Sequence, residues 1–192
     1  MKKTTCGFLA AVAALVVAGS ASAQRIPLSI EGRVDAAIPT GDLGDAANVG
    51  IGLHGDVTFN VTPIVGVYGG YSWNRFGAKD TNGVDYTDQG FDVGIKATFA
   101  PMQGLGAAPF FRGGAIIHKL SASASDDDLG DFTISSDSKV GFEVAGGVAF
   151  PIAPRIMLTP QVGYTQFNAA DEGDDDATVS VVHAGAGISI SF

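Results

Sequence analysis

Residues 178–192 read TVSVVHAGAGISISF, and their side chains alternate between apolar and polar. From Val182 to Phe192 every second residue is apolar, and His183, glycines and serines occupy the positions between them. This period of two predicts a β-strand with one apolar and one polar face. In an open sheet such a strand would be an exposed edge that invites aggregation, whereas closing the sheet into a barrel removes the edge. The stretch therefore predicts a closed β-barrel.

The start of the chain has the features of a secretory signal peptide. Met1-Lys2-Lys3 is basic, residues 7–18 are apolar, and Ala21-Ser22-Ala23 is a small-residue cleavage site. The apolar segment is too short to span a membrane as a helix, and the only cysteine, Cys6, lies inside it. We predict a signal peptide over residues 1–23 and a single disulfide-free β-barrel domain over residues 24–192.

Charge and hydropathy narrow the class of protein further. Loss of Lys2 and Lys3 with the signal peptide leaves 9 basic against 20 acidic residues, a net charge of −11. Such a chain repels nucleic acid, so we expect no nucleic-acid partner. The mean hydropathy is nevertheless positive, at +0.26, although no long apolar run follows the signal peptide. Apolar residues spread over alternate positions are typical of a transmembrane β-barrel.

Eight runs with a period of two follow the signal peptide, and none of the chain after it has a clear helical period. We predict strands over residues 28–38, 51–59, 65–73, 91–99, 111–117, 140–150, 156–164 and 178–192. Long polar connections, at residues 39–45, 74–88, 121–138 and 168–177, alternate with short turns. An even number of strands joined by alternating long and short connections predicts an all-β fold, an eight-stranded antiparallel transmembrane up-and-down β-barrel.

The charged residues of the strands test this prediction, because a charge facing lipid near the midplane costs about 2–4 kcal/mol. All of them fall on the polar faces, together with the three histidines: Glu31, Arg33, Asp35, His54, Asp56, Asp92, Lys96, Arg112, His118, Glu143 and His183. We therefore predict that they line the lumen. An eight-stranded barrel is just wide enough for side chains to fill, so we expect a hydrogen-bonded plug. A narrow pore is the alternative, and the histidines would make its conductance depend on pH.

Two acidic clusters in the long connections are weak candidates for binding Ca²⁺ or Mg²⁺. They are Asp126-Asp127-Asp128 and Asp174-Asp175-Asp176. Carboxylates are suitable ligands for these ions, but neither cluster has EF-hand spacing. The simpler interpretation is a pair of solvated, charge-rich loops. We predict no cofactor.

Four short segments connect the sequence to a known family: Pro39-Thr40-Gly41-Asp42, Phe111-Arg112-Gly113-Gly114-Ala115, residues 141–148 (GFEVAGGV) and residues 188–192 (ISISF). With them the chain resembles the small eight-stranded outer-membrane β-barrels, namely the barrel of outer-membrane protein A, outer-membrane protein X and the opacity proteins. The resemblance implies a bacterial outer-membrane location and a monomer in contact with lipid and lipopolysaccharide. It also implies that the barrel assembly machinery reads Phe192 as its signal.

The fold alone does not determine a function, because this family includes structural, adhesive, permeability and lipid-modifying proteins. We expect a structural or surface-interaction role, with the acidic loops outside and an unknown ligand. A small low-conductance channel is the alternative. We expect no enzyme, because every histidine faces inward and no serine has a convincing partner spacing. A soluble ligand-binding barrel would need the apolar faces inside.

Overall fold

The computed structural model describes residues 27–79, 84–104, 106–126, 130–168 and 178–192. The predicted signal peptide lies outside these residues and stays a prediction. The elements are β1 (Leu28–Thr40), α1 (Gly41–Ala46), β2 (Gly50–Asn60), β3 (Val65–Gly77), β4 (Val84–Thr98), β5 (Ala108–Asp126), β6 (Gly130–Ser135), β7 (Lys139–Ala153), β8 (Ile156–Asn168) and β9 (Thr178–Ser191). No helix in these residues is long and apolar enough to cross a membrane.

Eight of these strands close into a barrel in which every pairing is antiparallel. The order runs β1-β2-β3-β4-β5-β7-β8-β9 and returns to β1, while β6 pairs with no strand but β5 in the part of the chain that the structure describes. The closing seam between β1 and β9 extends from Ser29↔Ser191 to Thr40↔Ser180. The predicted closed eight-stranded antiparallel barrel is confirmed.

The two faces of the strands separate as the alternation predicts. Outward-facing residues of β4, such as Phe91, Val93 and Ile95, leave large apolar side chains exposed on the barrel surface. The ion-pairing residues Asp56, Arg112 and Glu143 point inward and are buried. A water-soluble barrel would have the opposite arrangement. The exterior is therefore suited to lipid.

Two connections are more ordered than the sequence pattern predicts. The predicted bounds of the loop 74–88 are wrong, because β3 continues to Gly77 and pairs with β4 from Gly77↔Asp85 onward. Part of the first long connection is the short helix α1, where no helix was expected. In both places the backbone keeps its hydrogen bonds after the alternation of apolar and polar residues has ended. Hydropathy alone cannot detect such a segment.

The predicted loop 121–138 is largely a β-hairpin. β5 continues to Asp126 and pairs with β6 from Ser121↔Ser135 to Asp126↔Gly130. We call residues 121–126 and 130–135 the hairpin arm. At about 3.3 Å per residue, it extends roughly 25 Å beyond His118, the last residue of β5 that pairs with β7.

The barrel is closed at the end that carries the long connections. Residues of α1 and of the strand ends pack there into what we call the apolar cap: Ala37, Leu43, Ala47, Phe76, Ile116, Phe167, Val179 and Val181. Lys79 Nζ donates a hydrogen bond to the Gly44 carbonyl, and the Thr178 amide donates to Asp42 Oδ2 at 3.0 Å. These contacts hold α1 over the lumen.

The opposite end, with the short turns, contains an open cavity of about 290 Å³. We call it the vestibule. Small polar residues such as Ser29, Thr58 and Ser191 line it, and Lys96 and Thr159 lie on its inner side. The lumen is thus apolar and closed at one end, and open, with a mixed lining, at the other.

Candidate functional site in the barrel lumen

The structure places all eleven polar-face residues predicted from the sequence inside the barrel. The buried ones are Glu31, Arg33, Asp35, His54, Asp56, Asp92, Arg112, His118, Glu143 and His183, and the Lys96 side chain is 15% exposed. Nine of them form three groups, each built by several strands, and Glu31 and Lys96 form a pair beside the first group.

Arg112 on β5 is the centre of the first group. Its Nη1 donates to Asp56 Oδ2 at 2.7 Å, and its Nη2 donates to Glu143 Oε1 at 2.9 Å. The guanidinium lies 4.3 Å from the centroid of the Tyr68 ring, and the Tyr68 hydroxyl donates to Glu143 Oε1 at 2.5 Å. A Cβ added at Gly94 would come within 2.5 Å of that hydroxyl, so the wall beneath Tyr68 has to be glycine. The group fills the middle of the lumen.

Beside it, toward the vestibule, Glu31 is bound from two sides. Lys96 Nζ donates to Glu31 Oε2 at 3.0 Å, and Gln161 Nε2 donates to Glu31 Oε1 at 2.8 Å. Both carboxylate oxygens are thereby satisfied, which offsets much of the desolvation that burial of a charge costs. This pair forms the floor of the vestibule.

The second group surrounds His118 under the apolar cap. The ring nitrogens lie 2.8 Å from Asp88 Oδ1 and 2.9 Å from Asp92 Oδ1. Asn74 Nδ2 donates to Asp88 Oδ2 at 2.9 Å. Assigning Asp88 to a loop was therefore wrong, because it is fully buried and belongs to β4.

Ser72 also contacts this group, with its Oγ 3.0 Å from His118 Nε2. The expectation that no serine partners a histidine is wrong, since the two residues meet across strands. The order Ser72–His118–Asp88 resembles a nucleophile, a base and an orienting acid. However, Asp92 Oδ1 contacts His118 Nε2, the same nitrogen that Ser72 contacts, and all four side chains are buried. The described residues leave the Ser72 hydroxyl closed off from a substrate, which argues against catalysis at this position.

The third group is built around Asp35 on β1. Arg33 Nε donates to Asp35 Oδ2 at 3.1 Å, and His183 Nδ1 lies 3.2 Å from Asp35 Oδ1. His54 Nε2 lies 3.1 Å from Asp35 Oδ2, but neither ring nitrogen of His54 makes a hydrogen bond. The two imidazole rings stand perpendicular, with centroids 5.3 Å apart. Two imidazoles and a carboxylate thus converge inside the barrel.

Other predicted positions are only partly described. Asp127, Asp128, Asp174, Asp175 and Asp176 lie outside the described residues, and Asp126 ends β5. The cation-binding hypothesis for these clusters stays a prediction. The Phe192 amide donates to the Leu28 carbonyl at 2.9 Å and so continues the seam between β1 and β9.

Several lumen residues were not among the predicted site residues. Tyr68, Asn74, Asp88, Gln161 and Thr165 all point inward and contact charged residues or histidines. Tyr68 and Gln161 have the inward parity of their strands, so the alternation could have identified them. Asn74 and Asp88 lie in strand extensions where that pattern has ended.

A lipid-facing exterior and a charged, packed lumen define a small integral β-barrel membrane protein. The model of the outer membrane protein beta-barrel domain family matches residues 8–189. The chain therefore belongs to this family, and its place is the bacterial outer membrane.

Solved structures share this fold. The fold is similar to Neisserial surface protein A, with a TM-score of 0.65 and 16% identity over 86% of this chain and 97% of that one. It is similar to a major outer membrane protein from Thermus thermophilus, with a TM-score of 0.57 and 14% identity over 86% and 99% of the two chains. For Ail, the attachment invasion locus protein of Yersinia pestis, the TM-score is 0.52, with 17% identity over 85% and 97%. No curated protein sequence matches the chain.

Proposed function

We propose that the protein is a closed structural barrel whose hairpin arm makes contacts at the cell surface. The observation that carries this proposal is the outer strand of the arm, β6, which has exposed apolar side chains and, within the described ranges, one unpaired backbone edge. Phe132 and Ile134 are 64% and 62% exposed, and among the described residues β6 pairs with β5 alone. In outer-membrane barrels the long connections face outward, so this edge faces the exterior of the cell.

An unpaired strand edge is a template for a further strand. Its free amide and carbonyl groups pair with an extended segment of a partner, and outward side chains add specificity. The acidic balance of the chain, 20 Asp and Glu against 11 Lys and Arg, favours a basic partner segment. An extended basic peptide is therefore the partner chemistry that suits the arm.

The packing of the lumen favours this role over a channel. The ion pairs of Arg112 occupy the middle of the lumen, and the apolar cap covers its outer end. Contacts with lipid and lipopolysaccharide, recognition of Phe192 by the assembly machinery, and a monomeric state are parts of the same proposal. We propose no catalytic role.

The proposal is tested by attachment of cells that lack the native gene and carry one variant each. Phe132→Ser with Ile134→Ser removes the apolar side chains of the arm, and we expect attachment to surfaces to fall several-fold. Ile152→Ser is the matched control, because Ile152 is equally apolar and 57% exposed but lies at the turn end of the barrel. Equal amounts of folded protein in the outer membrane are verified by the mobility of unheated samples.

Wild-type attachment by the arm variant would remove the surface-interaction proposal. If the strain without the gene is also sensitive to detergent, and the arm variant restores its resistance, the role is in envelope integrity alone.

A further inference from the structure

We propose that Asp35, His54 and His183 bind one divalent transition-metal ion inside the barrel, with Zn²⁺ as the ion that this ligand set suits best. One carboxylate oxygen and one nitrogen of each imidazole all lie within 4.8 Å of one another. Imidazole nitrogen with carboxylate oxygen is a donor set for Zn²⁺ and related ions rather than for Ca²⁺ or Mg²⁺. The site does not depend on the proposed surface role.

The distances between the ligand atoms already suit coordination. Two ligands about 2.0–2.1 Å from a tetrahedral Zn²⁺ lie roughly 3.3 Å apart. His54 Nε2 is 3.1 Å from Asp35 Oδ2, and His183 Nδ1 is 3.2 Å from Asp35 Oδ1. Each imidazole thus already lies at about this separation from one oxygen of the carboxylate.

The second independent observation is the poor hydrogen bonding of His54. Its side chain is only 3% exposed, yet neither ring nitrogen makes a hydrogen bond. Leaving a buried polar group unsatisfied costs about 1–3 kcal/mol. A metal ion bound to Nε2, which otherwise only contacts Asp35 Oδ2 at 3.1 Å, would give this nitrogen a full partner.

His183 has the outer contact that a metal-bound imidazole usually has. Its Nε2 lies 3.1 Å from Thr165 Oγ1, on the side of the ring away from Asp35. When Nε2 carries the proton and donates it to Thr165, the lone pair of Nδ1 faces Asp35. Such outer contacts orient metal-binding histidines in proteins.

There is space beside the three ligands for one small occupant. A cavity of about 10 Å³ touches all three ligands as well as Gln161, and about this volume holds one water molecule. Three protein ligands and one water form the usual open Zn²⁺ coordination sphere.

Charge in the lumen favours a cation at this position. Six buried carboxylates, Glu31, Asp35, Asp56, Asp88, Asp92 and Glu143, face the lumen. The permanent cations that pair with them are Arg33, Lys96 and Arg112. Arg33 contacts Asp35 but also lies 3.7 Å from Asp56 Oδ2, whose other oxygen has no partner. It can therefore move to Asp56 when a metal ion binds Asp35.

The test is a Zn²⁺ titration of the refolded barrel in detergent after treatment with a chelator. We expect one Zn²⁺ per chain by calorimetry and metal analysis, and Co²⁺ should give the visible absorption of a tetrahedral site. His54→Gln should weaken binding at least tenfold, as loss of a ligand exceeds the 10–100-fold effect of outer contacts. His118→Gln is the matched control, because His118 is equally buried between carboxylates but lies outside the site.

His54→Gln keeps a polar side chain at this position and breaks only the contact of Nε2 with Asp35 Oδ2, so the variant should fold, and mobility on unheated gels verifies this. Asp35→Asn is the second variant and should also lose Zn²⁺. Absence of Zn²⁺ binding by the wild type would overturn the proposal. Equal affinity in wild type and His54→Gln would also overturn it, because it would assign the ion to the acidic surface.

Discussion

At the scale of single residues, Arg112 should contribute more to stability than any exposed charge. Its side chain is 2% exposed and pairs with two buried carboxylates, whereas the exposed Arg75–Asp85 pair has side chains that are 55% and 41% exposed. Arg112→Ala leaves the buried carboxylates of Asp56 and Glu143 without their cation, and we expect the free energy of unfolding to fall by about 3–5 kcal/mol. Arg75→Ala should cost at most about 1 kcal/mol.

Urea unfolding in lipid vesicles, followed by the folded band on unheated gels, measures both changes. A loss at Arg112 no larger than at Arg75 would contradict a packed ionic lumen and would indicate that water fills it.

The sequence predicts which side of the wall a residue lies on, but not which residue it meets. Parity places Arg112 and Glu143 inside, because a period of two assigns every second side chain to one face. Their contact depends on the register between β5 and β7, where Gly114 and not Arg112 pairs with Glu143. The contact of Ser72 with His118 crosses β3, β4 and β5 and has no signal in spacing along the chain.

At the scale of elements, outward residues of the barrel wall and of the hairpin arm should differ in their tolerance of charge. Val93 lies within β4 and is 52% exposed, and Phe132 on the arm is 64% exposed. Val93→Lys puts a charge in lipid, which we expect to lower the free energy of unfolding by about 2–4 kcal/mol. Phe132→Lys stays in water and should change it by no more than about 0.5 kcal/mol.

The same urea assay in vesicles compares these two variants. Similar losses at both positions would mean that the arm lies in lipid, contrary to its assignment as a surface element.

The elements that the sequence predicts well are those that the membrane constrains. Lipid on one side and a polar lumen on the other impose the alternation by which all eight barrel strands are recognised. Beyond the lipid this constraint ends, although strand pairing continues from Arg75 to Gly77 and along the arm. The burial of Leu43 and Phe76 in the apolar cap also breaks the expected polar interior, so the cap could not be predicted from parity.

At the scale of the whole molecule, the barrel should conduct no ions. The cap covers one end of the lumen and the ion pairs fill its middle, so we expect no steady openings of the refolded protein in a planar bilayer. The same sample must show the folded, heat-modifiable band, because unfolded protein is silent too. Reproducible openings would contradict the closed lumen and support the channel alternative.

The seam between β1 and β9 has a consequence for the life of the protein in the cell. It joins the first and last strands, which are far apart in sequence, and the Thr40 hydroxyl donates a hydrogen bond to the Ser180 carbonyl across 140 positions. Contacts between residues so far apart in sequence form slowly, because the entropy cost of closing the loop between them must be met before the contacts stabilise the fold. Until the seam closes, β1 and β9 each keep an unpaired edge that can pair with another chain. Closure of this one pair of strands is therefore the step at which the barrel wall stops being a hazard for aggregation.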